Sequence, residues 1–193
     1  MSTTIPWSAG TWTHPPTAVR DDGADLLVTA VEGSDAWRHT SYGFVHDSEH
    51  ALLASMTPGS AMEVEFTADF SEQFDQAGLF LRVDEENWVK AGVEFADGAP
   101  QVGAVVTRGR SDWSAAPVPA WAGRRILVRA SWTGGALTIR AGVVGEDLQL
   151  TRVLPLDEDD QVEAGPFLCA PTRAGLTVPI HAWRRTDADA ALH

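Results

Sequence analysis

Lysine is nearly absent from this 193-residue sequence: Lys90 is the only one, and the other thirteen basic residues are arginine. Cysteine is equally scarce. With Cys169 alone, no intramolecular disulfide framework can form, and its place in the apolar run GPFLCA reads as a buried structural thiol rather than a nucleophile. Positive charge is outweighed, 14 Lys+Arg against 27 Asp+Glu, for a formal net charge of −13. Nucleic-acid phosphates need a basic face, so this balance argues against such a partner. It argues equally against docking on anionic membranes. No stretch approaches the roughly 20 apolar residues of a membrane span. The start, MSTTIPWSAG, lacks a basic segment followed by an apolar run, so no signal peptide is expected. The expected location is therefore cytoplasmic and reducing.

Helical periodicity is scarce too, and strand signals recur throughout. Met62–Phe70 alternates, with Met62, Val64, Phe66, Ala68 and Phe70 on one face and Glu63, Glu65, Thr67 and Asp69 on the other. Further strands are predicted over Asp25–Val31, Gln76–Val83, Trp88–Phe95, Gln101–Thr107, Arg124–Trp132, Ala136–Val144, Leu148–Leu154, Glu163–Ala170 and Leu176–Arg184. DEEN, ADGAP and TGG mark the turns, glycine supplying the positive φ that tight hairpins require. About ten short strands with turns every 8–12 residues predict an antiparallel sandwich. One domain is expected over residues 1–186, with a polar, frayed tail at 187–193.

The densest cluster of chemistry lies in Asp75–Ser114. Trp88, Lys90 and Glu94 share parity in one strand, about 6.5–7 Å apart at each i, i+2 step. Val89, Ala91, Val93 and Phe95 fill the other face. Gln76, Gly78, Phe80 and Arg82 share parity on the preceding strand, so a hairpin across DEEN puts both rows on one surface. An indole can stack on a sugar face while Lys90, Glu94, Gln76 and Arg82 read hydroxyls. The plainer alternative is a solvated face of mutually satisfied ions. Asp75 stands at the entrance to its strand. RGRSDWS reads as a loop, with Asp112 folding it through its own backbone, Trp113 anchoring it, and Arg108 beside them. Trp132 has core parity, whereas Trp183 could face either way. Glu63 and Glu65 most simply face solvent. HDSEH holds His46 and His50 at i, i+4 but is not the zinc word HExxH, so no metal site is assigned.

DQAG, WVKAGVEF with its following DG, and VVTRGRSDWS resemble the regulation-of-enolase-protein family, catalogued as a domain of unknown function within the concanavalin A-like lectin/glucanase superfamily. Trp12 with Pro15, SDAWRHTSYG and AGPFLCAPTRAG extend the resemblance over nearly the whole chain. It implies an all-β jelly-roll sandwich of two antiparallel sheets, one concave, with carbohydrate commonly held on the concave face. It also brings Trp37 forward as a ligand-facing aromatic. No cofactor is expected, although lectins of the superfamily often use calcium, for which DEEN or DEDD would be the loops. The expected function is non-catalytic recognition of a carbohydrate-like ligand. One alternative is a protein-interaction or metabolic regulatory module, as the family name suggests. Another is a glycoside hydrolase or lyase using Glu94. Glycosidases need paired carboxyl groups about 5–5.5 Å or 6.5–9.5 Å apart, and superfamily glucanases commonly place acids at alternate positions of one strand. The row here, Trp88, Lys90, Gly92, Glu94, has one acid, which disfavours hydrolysis.

Overall fold

The computed structural model describes residues 2–192. Its strands are β1 Thr3–Thr4, β2 Thr11–Trp12, β3 Ala18–Asp21, β4 Leu26–Thr29, β5 Ala36–Arg38, β6 Val45–Asp47, β7 His50–Met56, β8 Ser60–Thr67 and β9 Gln76–Arg82, followed by β10 Asn87–Ala96, β11 Ala99–Arg108, β12 Arg110–Pro117, β13 Arg125–Thr133, β14 Ala136–Val143, β15 Gln149–Pro155, β16 Val162–Cys169 and β17 Thr177–Asp187. One sheet runs β15-β14-β13-β8-β17-β4-β3 with β1 on β17; the second runs β12-β11-β10-β9-β16-β7-β2; β5 and β6 form a separate hairpin. The ladders between these strands are antiparallel, and together they make the jelly-roll sandwich. The core lies between the sheets, where the apolar halves of alternating strands meet: Met62, Val64 and Phe66 of β8 against Leu79, Leu81, Val89, Ala91 and Val93 of β9 and β10. Trp132 and Trp183 are fully buried there. The parity of Trp183 left its face open; packing against Trp7, ring centroids 6.5 Å apart, places it.

A row of glycines, a crease in the side-chain cover, crosses the second sheet. Gly78 pairs with Gly92 and Gly92 with Gly103, one position deep across three strands. A Cβ on any of them would lie 2.1 Å from a carbonyl oxygen of the adjoining strand, that of Ala91, Ala77 or Ser114. No side chain fits at that separation, so the strands approach this closely only with glycine at these positions. The crease carries the concave face. On one side of it Phe80, Trp88, Val105, Phe167, Leu53 and Ala36 form a second apolar cluster, separate from the main core.

Three expectations change. RGRSDWS is not a loop: after Gly109, at φ 67°, the chain turns back and Ser111–Ser114 pair with Ala104–Thr107 as part of β12. Its polar sequence hides an edge strand, which needs no apolar outer face. Glu63 and Glu65 do lie on the outer face of the first sheet, yet Glu65 is only 6% exposed. Arginines roof both acids: Arg129 pairs with Glu63 at 2.7 Å, Arg125 with Glu65 at 2.6 Å, and Arg184 with each of them. The tail expected to fray is tied down, since Asp189 binds Arg129 and Arg140, and its backbone N–H donates to the Ser131 hydroxyl at 2.8 Å. His193 of that tail lies outside the described residues.

Candidate functional site

β10 carries Lys90 opposite Phe80 of β9 and Val105 of β11, and Glu94 opposite Gln76 and Gln101. Directly opposed residues share a face, so Gln76, Lys90 and Glu94 converge on the concave side beside the glycine crease. The Lys90 ammonium donates to Asp35 Oδ1 and Gln76 Oε1, each at 2.8 Å. The Gln76 amide donates to Asp35 Oδ1 at 3.3 Å and to the Phe74 carbonyl at 3.1 Å. Asp35 Oδ1 also accepts from the backbone N–H of Ala36 at 2.8 Å. The result is a closed triangle of cation, carboxylate and amide. Lys90 is 4% exposed and Gln76 2%.

Burial works against the charge of Lys90, but the attraction of Asp35 and Glu94 outweighs it and raises the ammonium pKa above the ordinary lysine range. A lysine held protonated is no Schiff-base nucleophile. Glu94 behaves in the opposite sense. Burial, reinforced by repulsion from Asp35 and only partly relieved by Lys90, moves its pKa up to about 7. Cys169 is fully buried and its thiol pKa is pushed well up, mainly by that burial, which keeps it unreactive.

The β5–β6 hairpin arches over this floor. Its loop takes left-handed backbone at His39, Ser41 and Gly43, and the Trp37 indole closes it by donating to the Thr40 carbonyl at 2.9 Å. The hairpin spans the sheet: Ser48 N–H donates to the Asp35 carbonyl at its base, while at its far end Arg38 N–H donates to Ser111 Oγ of β12. Beneath it is a cavity of about 310 Å³, walled by Trp37, Tyr42, Phe44, His46, Phe74, Trp113 and Pro171 over a floor of Asp35, Gln76, Lys90 and Glu94. Trp37 stands edge-on to Tyr42 at 5.8 Å and to Trp113 at 6.5 Å. Phe74 holds φ 68°, rare for a bulky side chain, and its N–H is fixed by the Phe95 carbonyl at 2.6 Å.

Of the residues singled out in the sequence, Trp37, Gln76, Lys90, Glu94 and Trp113 therefore line one cavity. The others are elsewhere. Trp88 is 6% exposed and stacks on Phe80 at 5.4 Å in the apolar cluster, outside the cavity. Arg82 pairs with Glu163 at 2.8 Å. Asp75 is fully buried, accepting from Arg173 and from the backbone N–H groups of Ser71 and Glu72. Arg108 donates to the Pro155 carbonyl, and Asp112 pairs with Arg152 at 2.9 Å. Asp35, Phe44 and Phe74 were missed, and His46 was considered only as a metal ligand. Asp35 sits inside SDAWRHTSYG, but no local pattern points it at a lysine 55 positions away.

As for ions, Asp84 of DEEN caps its own turn through Glu86 and Asn87 N–H, and Glu86 binds Arg38. Glu158 of DEDD accepts from Gly134 N–H. His46 faces the cavity, whereas His50 is buried, with Nε2 accepting from Val31 N–H and Nδ1 donating to the His14 carbonyl. Among the described residues, His14, Asp47 and Glu49 bring ligand-type atoms within 4.8 Å of one another.

Residues 12–188 match the family described as "protein of unknown function (DUF1349)". The chain belongs to this family. It is 34% identical over 179 residues to regulation of enolase protein 1 of Saccharomyces cerevisiae, covering 93% of this chain and 90% of the yeast protein. The crystal structure of a functionally unknown protein from S. cerevisiae superposes with a TM-score of 0.89 at 32% identity, covering 96% of this chain and 100% of the other. Lectin I-B4 of Griffonia simplicifolia, in its metal-free form, superposes with a TM-score of 0.57 at 15% identity, over 96% and 98% of the two chains. That last likeness shows a shared lectin-type fold. Among the described residues, no helix is long and apolar enough to cross a membrane.

Proposed function

We propose that this DUF1349 protein binds a carbohydrate or sugar-like small molecule in the roofed cavity, without changing it chemically, and acts in the cytoplasm. One observation carries the reading: a fixed polar floor of Asp35, Gln76, Lys90 and Glu94 faces a wall of tryptophan and tyrosine rings across a ligand-sized space. Aromatic faces take the C–H side of a sugar, and a pre-organised set of donors and acceptors takes its hydroxyls. The floor needs no rearrangement to bind, because its hydrogen bonds are already made. The reading invokes no cofactor.

The test is a thermal-shift screen of sugars against wild type and Trp113→Ala. Trp113 is 41% exposed, so its loss is expected to cost the fold little. A sugar at a hundred times its Kd stabilises the native state by about 2.7 kcal/mol, or about 5–11 °C for a domain of this size. The shift should vanish in the variant. No shift with any sugar transfers the assignment to a protein-interaction or regulatory module. The name of the yeast relative favours that second reading, as does the exposed rim of Tyr42, Phe44 and Val45.

A hydrolase or lyase using Glu94 has less support. Asp35 brings a second carboxyl group to the same floor, but it is engaged by the Lys90 ammonium, the Gln76 amide and the Ala36 N–H. An acid so occupied is poorly placed to activate water. Turnover of any glycoside that is lost in Glu94→Gln would reinstate catalysis.

A further inference from the structure

We infer that the cavity selects a sugar bearing one ammonium group, an amino sugar, over its neutral counterpart, with the cation held between the Glu94 carboxylate and the aromatic wall. This rests on the sugar-binding reading above and adds to it the charge of the ligand.

The hydrogen bonds of the floor show which of its groups remain open. Both N–H groups of the Gln76 amide are spent, on Asp35 and on the Phe74 carbonyl. Two of the three Lys90 N–H groups go to Asp35 and Gln76 Oε1. Asp35 Oδ1 accepts from Lys90, Gln76 and the Ala36 N–H. Glu94 is different: among the described residues its carboxylate accepts no hydrogen bond, and Lys90 and Asp35 act on it through charge alone. What the floor still offers a ligand is therefore chiefly an acceptor.

Charge points the same way. Lys90 is buried and matched by Asp35 at 2.8 Å, so the two cancel at close range. Glu94, when ionised, then leaves the floor with one uncompensated negative charge, in a protein whose net charge is −13. The wall adds to this. Trp37, Tyr42, Phe44, Phe74 and Trp113 bring five aromatic rings to the same space, and the face of such a ring attracts a cation. An ammonium supplies several N–H donors together with the charge that both surfaces favour. A hydroxyl in its place supplies one donor and no charge.

The other groups around Glu94 set the controls. Gln76 and Gln101, opposite it on β9 and β11, are neutral, and burial keeps Cys169 of β16 a thiol. His46, edge-on to Phe44 at 4.6 Å, is the remaining titratable side chain of the wall. Protonated, it would repel an ammonium, so its effect has to be separated from that of Glu94.

Isothermal titration at pH 7 with four ligand sets tests the inference: neutral hexoses, the matching hexosamines, their uncharged N-acetyl derivatives, and tetramethylammonium as a cation without a sugar. A hexosamine is expected to bind at least about tenfold more tightly than both its hexose and its N-acetyl derivative. Equal or tighter binding of the neutral hexose would overturn the charge inference while leaving sugar binding intact. Binding of tetramethylammonium with no response to any sugar would overturn the sugar reading, and the amino-sugar assignment with it. If nothing binds, both fail.

Glu94→Gln keeps the shape of the floor and removes its charge, so the hexosamine-to-hexose affinity ratio should fall at least about tenfold. An unchanged ratio in the folded variant refutes the role given to Glu94. The wild type supplies a second readout that needs no variant to fold. With the Glu94 pKa at about 7, its ionised fraction rises about fivefold from pH 6 to pH 7, and hexosamine affinity should rise with it. The rise should persist in His46→Gln and vanish in Glu94→Gln. A flat wild-type profile, or a rise lost only in His46→Gln, would show that Glu94 does not hold the cation.

Discussion

Lys90→Met keeps the length and most of the apolar stem of the side chain but deletes the ammonium that ties the floor together. The side chains of Lys90 and Asp35 are 5% and 18% exposed, so water screens their ion pair only weakly. Removing one partner of a buried pair leaves the other charge uncompensated, typically at a cost of about 3–5 kcal/mol. Gln76 Oε1 loses its donor in the same stroke. For a domain of this size the expected fall in Tm is about 6–20 °C, at roughly 2–4 °C per kcal/mol. Asp35→Asn alone should also destabilise, because Lys90 is then the unmatched charge. The double variant should recover part of the loss, since neither charge remains to be stranded. Urea denaturation of the four proteins at pH 7 gives the coupling energy, expected to reach about 1–3 kcal/mol. If Lys90→Met stays within 1 kcal/mol of wild type, or the two losses add to within about 0.5 kcal/mol, the buried triangle is not the organising element of this floor.

The Glu94 carboxyl titrates near 7 when folded against an ordinary 4.5. Between those values the native state holds the extra proton, so this group's contribution to stability is full below about pH 4.5 and falls as pH rises through 7, by roughly 3 kcal/mol in all. Glu94→Gln removes that slope, so the stability difference between variant and wild type should grow in the variant's favour from pH 5 to pH 8; parallel profiles would contradict the assignment. Trp88→Ala should unfold easily, losing about 3–5 kcal/mol in urea, whereas Trp113→Ala should lose sugar binding and little stability. The reverse pattern would mean that Trp88 is the ligand platform after all. Gly92→Ala places a methyl 2.1 Å from the Ala77 carbonyl oxygen and should cost at least about 1–3 kcal/mol in the same assay; a neutral result would show the crease to be dispensable. Asp75→Ala strands Arg173, itself 28% exposed, and leaves the Ser71 and Glu72 N–H groups without their acceptor, so a loss of roughly 3 kcal/mol is expected by thermal or urea unfolding.

Strand positions and their two faces were legible in the sequence because alternation has a period of two and is written locally: Met62, Val64 and Phe66 face the core as their spacing requires. The same parity put Trp88, Lys90 and Glu94 on one surface, and they are on one surface. What parity could not distinguish is depth. Trp88 lies under neighbouring aromatics from β9 and β16, while Glu94, six residues further along, opens onto the cavity. That difference depends on which strands flank β10 and on where the β5–β6 hairpin comes to rest. The hairpin docks through distant contacts, such as Asp35 to Lys90, 55 positions away, and Arg38 to Ser111, 73 positions away. Edge strand β12 was hidden for a related reason: its polar residues satisfy one ladder and solvent, and nothing in their order demands a sheet. The sequence by itself thus determined an antiparallel sandwich and a face on which a lone lysine stands. Only the tertiary structure decided that Lys90 would be buried, matched by Asp35 and roofed by Trp37, because burial and charge pairing arise from long-range packing and local order carries no record of them.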